Sequence, residues 1–537
     1  MNIAPWRTER ILWNDELLVV DKPPGLVVHG GDATAADDVV SRLASWLEGD
    51  AYLGVHQRLD KGASGVLAFT RRRELNARVA ADFERHEVGR RYVALVASHA
   101  LRPAGQLEHR LLPVKGGKTR VVRQGGQIAR ASYRVLQRVG GRALVELTPR
   151  TGRTHQLRVQ LAAIGAPIAG DKLYGGPPAP RLMLHAEHLA LPSVGLSFDA
   201  PVPAAFDDWL HEREQLGSSD RVRAALSDAL CLRHSLAGAA SAFRWANGSA
   251  DDVPGVVVDV YDEWATLSLS TDDAAAREDE LARALLELGA RGVYAKRRPR
   301  ADLRRQERDA LAPTEPVAGI VAPNPLTVRE RDLSFAVELG DGLSTGLFVD
   351  QRDGRARLRE LSVGGRVLNL FCYTGSFSVA AAAGGARQVT NVDLSARALS
   401  RARENLALNG LEAERHRFVK ADAFDWLARA AKKGEAFEIV VLDPPSFGTR
   451  KKGSFSVQRD YPRLVEGAVR VLAAGGRLIA ITNHRKTSRD QLRRIVRDAA
   501  ARAGRQVVQL KDLPSGLDCP DGPSGPTPSK SVLLTVR

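Results

Sequence analysis

Along residues 1–215 the apolar positions come in short Val/Leu runs, LLVVDK, GVLAF, YVALVA and ALVELTP, separated by turn-rich links. Runs this short, bounded by Gly, Pro, Asp and Asn, are strands. The pattern predicts a mixed α+β domain built mainly on an antiparallel sheet. From Gly217 the text changes to GSSDRVRAALSDALCLRHSLAGAA, with apolar residues at helical spacing behind Ser218, Ser219 and Asp220 as caps. We read 216–240 as a helical linker and the main boundary. The next segment, AFRWANGSADDVPGVVVDVYDEWATLSL, sets strand runs on either side of a DVPG turn and opens a small α+β connecting domain over 241–322. Over 323–537 the strand-like VLNLF, QVTNVDL, EIVVLDP and RLIAITN alternate with helical stretches, the mark of a parallel sheet covered on both faces. The Pro/Gly/Ser-rich SGLDCPDGPSGPTPSK reads as a loop.

Length supports this multidomain reading, since 537 residues exceed what a single core holds. With 78 basic against 63 acidic side chains the net charge is +15, which favours a polyanionic partner, nucleic acid first. Cys231, Cys372 and Cys519 are too few and scattered for a disulfide framework or a closed zinc site. We therefore expect no metal and a cytoplasmic protein. The N-terminal MNIAPWRTERILW carries Arg7, Glu9 and Arg10 where an export signal needs an apolar core. The long uncharged stretch from Val367 to Ala386 is interrupted by Asn369, Tyr373, Gly375 and Ser378, so it predicts strand, tight turn and buried helix, with no membrane association.

The stretch HQRLDKGASGVLAF sets Asp60 between Arg58 and Lys61. A carboxylate between two cations suits a nucleophile or base; the plain alternative is an acid capping the turn before Gly62. The stretch resembles the signature of the RluA family of pseudouridine synthases, with Gln57 and Ala63 departing from the family's His and Thr. Also in family order come VDKPPGLVVH, GRRYVALV, TPRTGRTHQLRVQLAAIGAPIAGDKLYGG and RLMLHAEHLAL. The resemblance implies isomerisation of uridine to pseudouridine without a cofactor. It makes Asp60 the essential group, puts Tyr92 on the target base, pairs Arg158 with Asp60, and sets Arg58 to fill the gap left by the flipped base. Arg153 joins these as an RNA-binding residue; a surface ion network of Arg153, His155 and Arg158 is the structural alternative. Between His109 and Val145 the chain carries Arg110, Lys115, Lys118, Arg120, Arg123, Arg130, Arg134, Arg138 and Arg142 and no acid. We expect that surface to track phosphates.

In the C-terminal half, VLNLFCYTGSFSVAAAAGGA runs from a strand through Thr374 and Gly375 into a helix, a turn that brings backbone close to a ligand. Asp393, Asp422 and Asp443 each end a strand run. This order resembles a class I methyltransferase with a Rossmann-like sheet and S-adenosylmethionine as cofactor. The resemblance puts Thr374 and Gly375 at the methionine part, Asp393 on the ribose, Asp422 near the adenine, and Asp443 at the junction of cofactor and acceptor base. STGLFVDQRDGR and the 241–322 segment narrow it to the RlmI and RlmK type of large-subunit ribosomal RNA methyltransferases. DPPSFGTRKKGSFSVQRDY is similar to the RlmK-type guanine N7 enzymes, which implies Phe447 stacking on the base and Asn483 at the pocket edge. Methylating cytosine at carbon 5 needs a thiolate nucleophile. Ile481-Thr482-Asn483-His484 stands where RlmI-type enzymes carry that Cys, so guanine N7 of 23S rRNA is favoured.

The expected protein is a bifunctional RNA modification enzyme acting on rRNA, with tRNA a further substrate candidate for the synthase half. The alternatives are a cytosine carbon 5 methyltransferase fused to the synthase, an assembly factor with one inactive half, and a nicotinamide oxidoreductase. The last is disfavoured because the full dinucleotide glycine fingerprint is missing.

Overall fold

A computed structural model describes residues 3–30, 37–48, 52–97, 101–114, 117–213, 215–298, 308–445, 447–450, 453–520 and 529–537. Lys115, Ser446 and the side chain of Phe447 lie outside the described residues. The first unit is an eleven-stranded sheet. Its path runs Ile11–Asn14, Leu17–Lys22, Ser64–Thr70, Leu184–Leu191, Gly89–Ala97, Arg142–Pro149, Gln127–Val139, Ala104–Val114 and Lys118–Val122. Neighbours on that path are antiparallel except Ser64–Thr70 beside Leu184–Leu191, which run parallel. GVLAF is apolar throughout because both its faces are covered. Leu67 and Phe69 pack with Val39 and Leu43 of the helix Val39–Trp46. Val66 and Ala68 meet Val79 of the helix Arg73–Glu84.

The second unit is a five-stranded sheet of Ala242–Asn247, Val256–Tyr261, Trp264–Leu269, Gly292–Arg297 and Ala318–Gly319. The helix Ser219–Leu232 lays Val222, Leu226, Ala229 and Leu230 on that sheet, so it is a wall of the second core and more than a connector. Ser218 occupies its N-cap position, yet no side chain bonds there. The hairpin Leu326–Glu330 and Leu333–Val337 leads to the third unit, where buried Glu330 pairs with buried Arg355.

The third unit is a seven-stranded sheet in the order Arg417–Lys420, Gln388–Asp393, Arg366–Leu370, Phe437–Leu442, Leu472–Thr482, Lys530–Val536, Val507–Leu513. The first five strands are parallel, and Lys530–Val536 is antiparallel to both its neighbours. That inserted antiparallel strand separates this sheet from the all-parallel dinucleotide-binding order. The sequence order reverses at Arg366–Leu370, and ligands of open α/β sheets sit beyond the strand ends at such a switch. The Pro/Gly stretch proves partly anchored. Asp518 is fully buried, taking hydrogen bonds from Arg352 at 3.0 and 2.5 Å and from the Arg244 amide at 2.8 Å, while residues 521–528 lie outside the described part. No described helix is long and apolar enough to cross a membrane.

Candidate functional sites

Asp60 sits in the turn that feeds Ser64–Thr70, and its backbone carbonyl accepts from the Ala63 amide at 3.0 Å. Arg58 and Lys61 are exposed; the cation that engages Asp60 is Arg158, whose Nη1 donates to its Oδ2 at 3.1 Å. The other arms of the same guanidinium, Nε and Nη2, grip Asp171 at 2.7 and 2.9 Å. The Asp171 side chain is 0% exposed and that of Arg158 12%, so this is a buried pair and no surface network. Burial opposes the charge on Arg158, but Asp171 and Asp60 outweigh it and hold the guanidinium firmly cationic.

His155 lies 3.9 Å from the other oxygen of Asp60, in a left-handed conformation (φ 55°) that non-glycine residues rarely adopt. Its Nδ1 meets the Tyr174 hydroxyl at 2.9 Å, and that hydroxyl accepts from the Thr119 amide at 2.9 Å. The Tyr174 hydroxyl thus ties His155 to the strand Lys118–Val122, with the imidazole Nε2 facing Asp60. Burial keeps His155 below the usual imidazole range.

Behind the turn, the buried ammonium of Lys22 donates to the carbonyls of Pro23 and Leu26 at 2.8 and 2.9 Å and to that of Lys61 at 3.4 Å. Burial, with Arg181 nearby, brings Lys22 down to about 7. Tyr92 is half-buried on Gly89–Ala97, paired in register with Ala186 and Leu147. Burial raises its phenol, which stays protonated at neutral pH.

Arg153 is exposed. The basic run is less free than its sequence suggests. Arg130 pairs with Glu108 at 2.9 Å, Arg134 with Glu146 at 3.2 Å and Arg142 with Glu212 at 2.5 Å, all acids lying outside the run. Arg110, Lys118, Arg120 and Arg123 on the hairpin Ala104–Val114 and Lys118–Val122 remain exposed without a salt bridge among the described residues.

In the third unit, the turn after Arg366–Leu370 puts Phe371 and Tyr373 at positive φ (56° and 48°) before Gly375 (φ 77°) starts the helix Ser376–Ala383. A Cβ on Gly375 would come 2.6 Å from that of Ala402, so only glycine closes this turn against the next helix. Asp393 accepts from the Tyr373 amide at 3.0 Å and the Ser395 amide at 2.9 Å. Each of its oxygens keeps a second lone pair beyond these amides. Thr374 is buried, its hydroxyl bonded to the Gly346 carbonyl. A cavity of about 200 Å³ opens here, lined by Gly346, Tyr373, Thr374, Ser395 and Arg397 among others. Asp422 caps the helix Ala423–Lys432, accepting from Phe424 and Asp425 amides at 2.9 and 3.3 Å.

Asp443 ends Phe437–Leu442, and Asn483 is exposed just past Leu472–Thr482. Burial, then repulsion from Asp350, pushes the Asp443 carboxyl up to about 7. Sequence reasoning missed Asp350, Asp171, Tyr174 and Lys22, although each lies in a motif stretch: FVDQR, AGDKLYGG and VDKPPG. Burial pushes all three thiols up, Cys372 and Cys519 furthest.

The sheet order, the glycine turn and the strand-end acids are those of a methyltransferase that uses S-adenosylmethionine. The S-adenosylmethionine-dependent methyltransferase family model matches residues 271–522, and the RNA pseudouridylate synthase model matches 16–163. A ribosomal RNA large subunit methyltransferase I from Alteromonas mediterranea is 31% identical over 58% of this chain and 78% of its own length. A ribosomal RNA large subunit methyltransferase from Deinococcus radiodurans is 37% identical over 53% and 72%. Among solved structures, SMU.776 complexed with SAH is 27% identical with a TM-score of 0.53, covering 64% of this chain and 85% of that one. The chain belongs to the large-subunit ribosomal RNA methyltransferase family and carries an RNA pseudouridylate synthase domain ahead of it.

Proposed function

We propose that residues 1–215 convert uridine to pseudouridine in RNA with Asp60 as the essential carboxylate. Residues 323–537, seated on the 241–322 domain, transfer a methyl group to guanine N7 of 23S rRNA in the cytoplasm. The observation that carries the first half is the Arg158 fork, which ties Asp60 to the buried Asp171. A carboxylate held this way cannot swing as the base leaves the sugar, turns and rejoins through carbon 5. Tyr92 packs the base, Arg58 and Arg153 meet the RNA, and Arg58 fills the vacated place in the stack.

For the second half, the thiolate rather than the thiol attacks carbon 6 of a cytosine, and burial raises each cysteine away from thiolate. Guanine N7 offers its own lone pair and needs no thiolate. Thr374, Gly375, Asp393 and Asp422 hold the donor; Asp443, Phe447 and Asn483 hold the base. Mapping of rRNA from a deletion strain and its parent tests both halves, by mass spectrometry for the methyl group and by carbodiimide-adduct mapping for pseudouridine, which has the mass of uridine. The N7 product should be cut by mild reduction and aniline, and Cys372→Ser and Cys519→Ser should keep substantial methyl transfer. Loss of methylation in Cys519→Ser with an aniline-resistant product would establish the cytosine carbon 5 reading instead.

A further inference from the structure

The helix Ser219–Leu232 touches the synthase unit as well as the second sheet, and the contacts converge behind Asp60. Asp228 on this helix receives Nε and Nη2 of Arg10 at 3.0 and 2.5 Å and Nη1 of Arg7 at 2.5 Å. The remaining arm of Arg10 donates to the Asp21 carboxylate at 2.5 Å and the Asp21 carbonyl at 3.3 Å. Asp21 is the residue before Lys22, and the two pair in register with Val66 and Gly65 at the start of the strand that follows Asp60. The Lys22 ammonium and the Gly25 amide, the latter at 2.7 Å, both hold the carbonyl of Lys61, next to Asp60.

Two further contacts come from the end of the same helix. Arg42 Nη1 donates to the Cys231 carbonyl at 2.6 Å. Leu232 packs into the cluster that contains Leu59 and Tyr92. The turn bearing Asp60 thus rests on the linker helix through an ionic relay and an apolar contact.

We propose that Asp228 is a positioning residue for the synthase reaction, acting on Asp60 through Arg10, Asp21 and Lys22, so that the helix joining the two catalytic halves forms part of the synthase site's foundation. This rests on the reading of Asp60 as the essential carboxylate. Arg10 is a planar fork that spans two carboxylates. With a neutral amide at 228 it loses the bidentate grip and keeps Asp21 as its one charged partner among the described residues, which weakens the anchor of the Asp21–Lys22 segment. Small displacements of a reacting group are felt in turnover more than in binding.

The test uses the full-length chain and measures isomerisation and methyl transfer on the same preparation, so that methyl transfer reports folding. Asp228→Asn should lower kcat for isomerisation about tenfold with KM for RNA and the methyl-transfer rate within about twofold of the parent. Arg10→Gln should do the same, and the double variant should be no worse than either single one, because both cut one relay. Asp228→Glu, which keeps the charge, should recover part of the loss. Parental isomerisation in Asp228→Asn, a parallel fall of both activities, or multiplying effects in the double variant would each overturn the proposal. Asp60→Ala is the separate arm: retained isomerisation there would overturn the reading of Asp60 itself, whatever Asp228 does.

Discussion

Arg158→Ala should separate stability from chemistry in the synthase half. The guanidinium makes three hydrogen bonds, two to Asp171 and one to Asp60, and the Asp171 side chain has no exposure. Removing Arg158 leaves the buried Asp171 carboxylate without a counter-charge, held among the described residues only by the Leu173 and Tyr174 amides, at a cost of about 3–5 kcal/mol. At roughly 2–4 °C per kcal/mol for a unit of this size, its melting transition should fall by about 6–20 °C. Isomerisation should fall on the order of a hundredfold or more even where the protein is folded, since Asp60 loses its tether and a shift of about 1 Å is enough. Replacing both partners with apolar residues, Arg158→Met with Asp171→Leu, removes the stranded charge and should restore most of the stability. It should not restore isomerisation. Calorimetry and tritium release from RNA labelled at uridine carbon 5 read the two quantities. The reasoning is refuted if Arg158→Ala stays within about 1 kcal/mol of the parent, or if the double variant isomerises at the parental rate.

Asp443, raised to about 7 and therefore ionised only above that, should give methyl transfer that increases from pH 6 to pH 8, and Asp443→Asn should be slow and pH-independent. Because its folded value lies above the ordinary 3.8, the stability it contributes is complete below that value and is lost as pH rises through about 7; the cofactor-free melting temperature should show this loss, and Asp443→Asn should lessen it. Replacing Lys118, Arg120 and Arg123 with Gln should weaken RNA binding by the synthase site and reduce the slope of log affinity against log salt by roughly 0.7–0.9 for each phosphate that is no longer neutralised; an unchanged slope would remove the hairpin from the RNA path. Gly375→Ala, with its Cβ 2.6 Å from that of Ala402 and φ at 77°, should abolish S-adenosylmethionine binding in titration calorimetry while leaving isomerisation intact.

The parts of both sites that could be read in the sequence share a physical origin. Strands buried on both faces write themselves as apolar runs, and in a parallel sheet the residue ending such a run sits at the ligand edge. The strand-end placement of Asp393 and Asp443 was legible for that reason. Asp60 and Arg158 are 98 residues apart, so no spacing links them, and only family order suggested the pair. Asp171 and Tyr174 were in view without a role, because their partners come from the helix Gln156–Ala163, its cap His155, and a distant strand. The basic run misled for a related reason. Register sets Arg130 opposite Glu108 and Arg134 opposite Glu146, so acids outside the run neutralise cations inside it. The linker helix presents an apolar stripe either to one sheet or to two, and sequence alone does not distinguish these.

The two sites place their carboxylates in opposite company, and the difference bears on the proposed methyl acceptor. Asp60 is held by the guanidinium of Arg158 with Lys22 behind it, whereas half-buried Asp443 feels the repulsion of a second half-buried acid, Asp350. An acid pair of this kind favours a ligand that brings one positive charge. S-adenosylmethionine carries that charge on sulfur. Transfer to guanine N7 moves it onto the base with no proton released, so the pocket holds a cation before and after the methyl group crosses. Transfer to cytosine carbon 5 requires a thiolate to add first and a proton to leave carbon 5 afterwards, and it ends with two neutral products beside two acids. The burial that raises Asp443 and the thiols disfavours the thiolate and leaves the acids unmatched in the second case. In the first case the charge the acids bind is never lost, which is the electrostatic ground for the N7 reading.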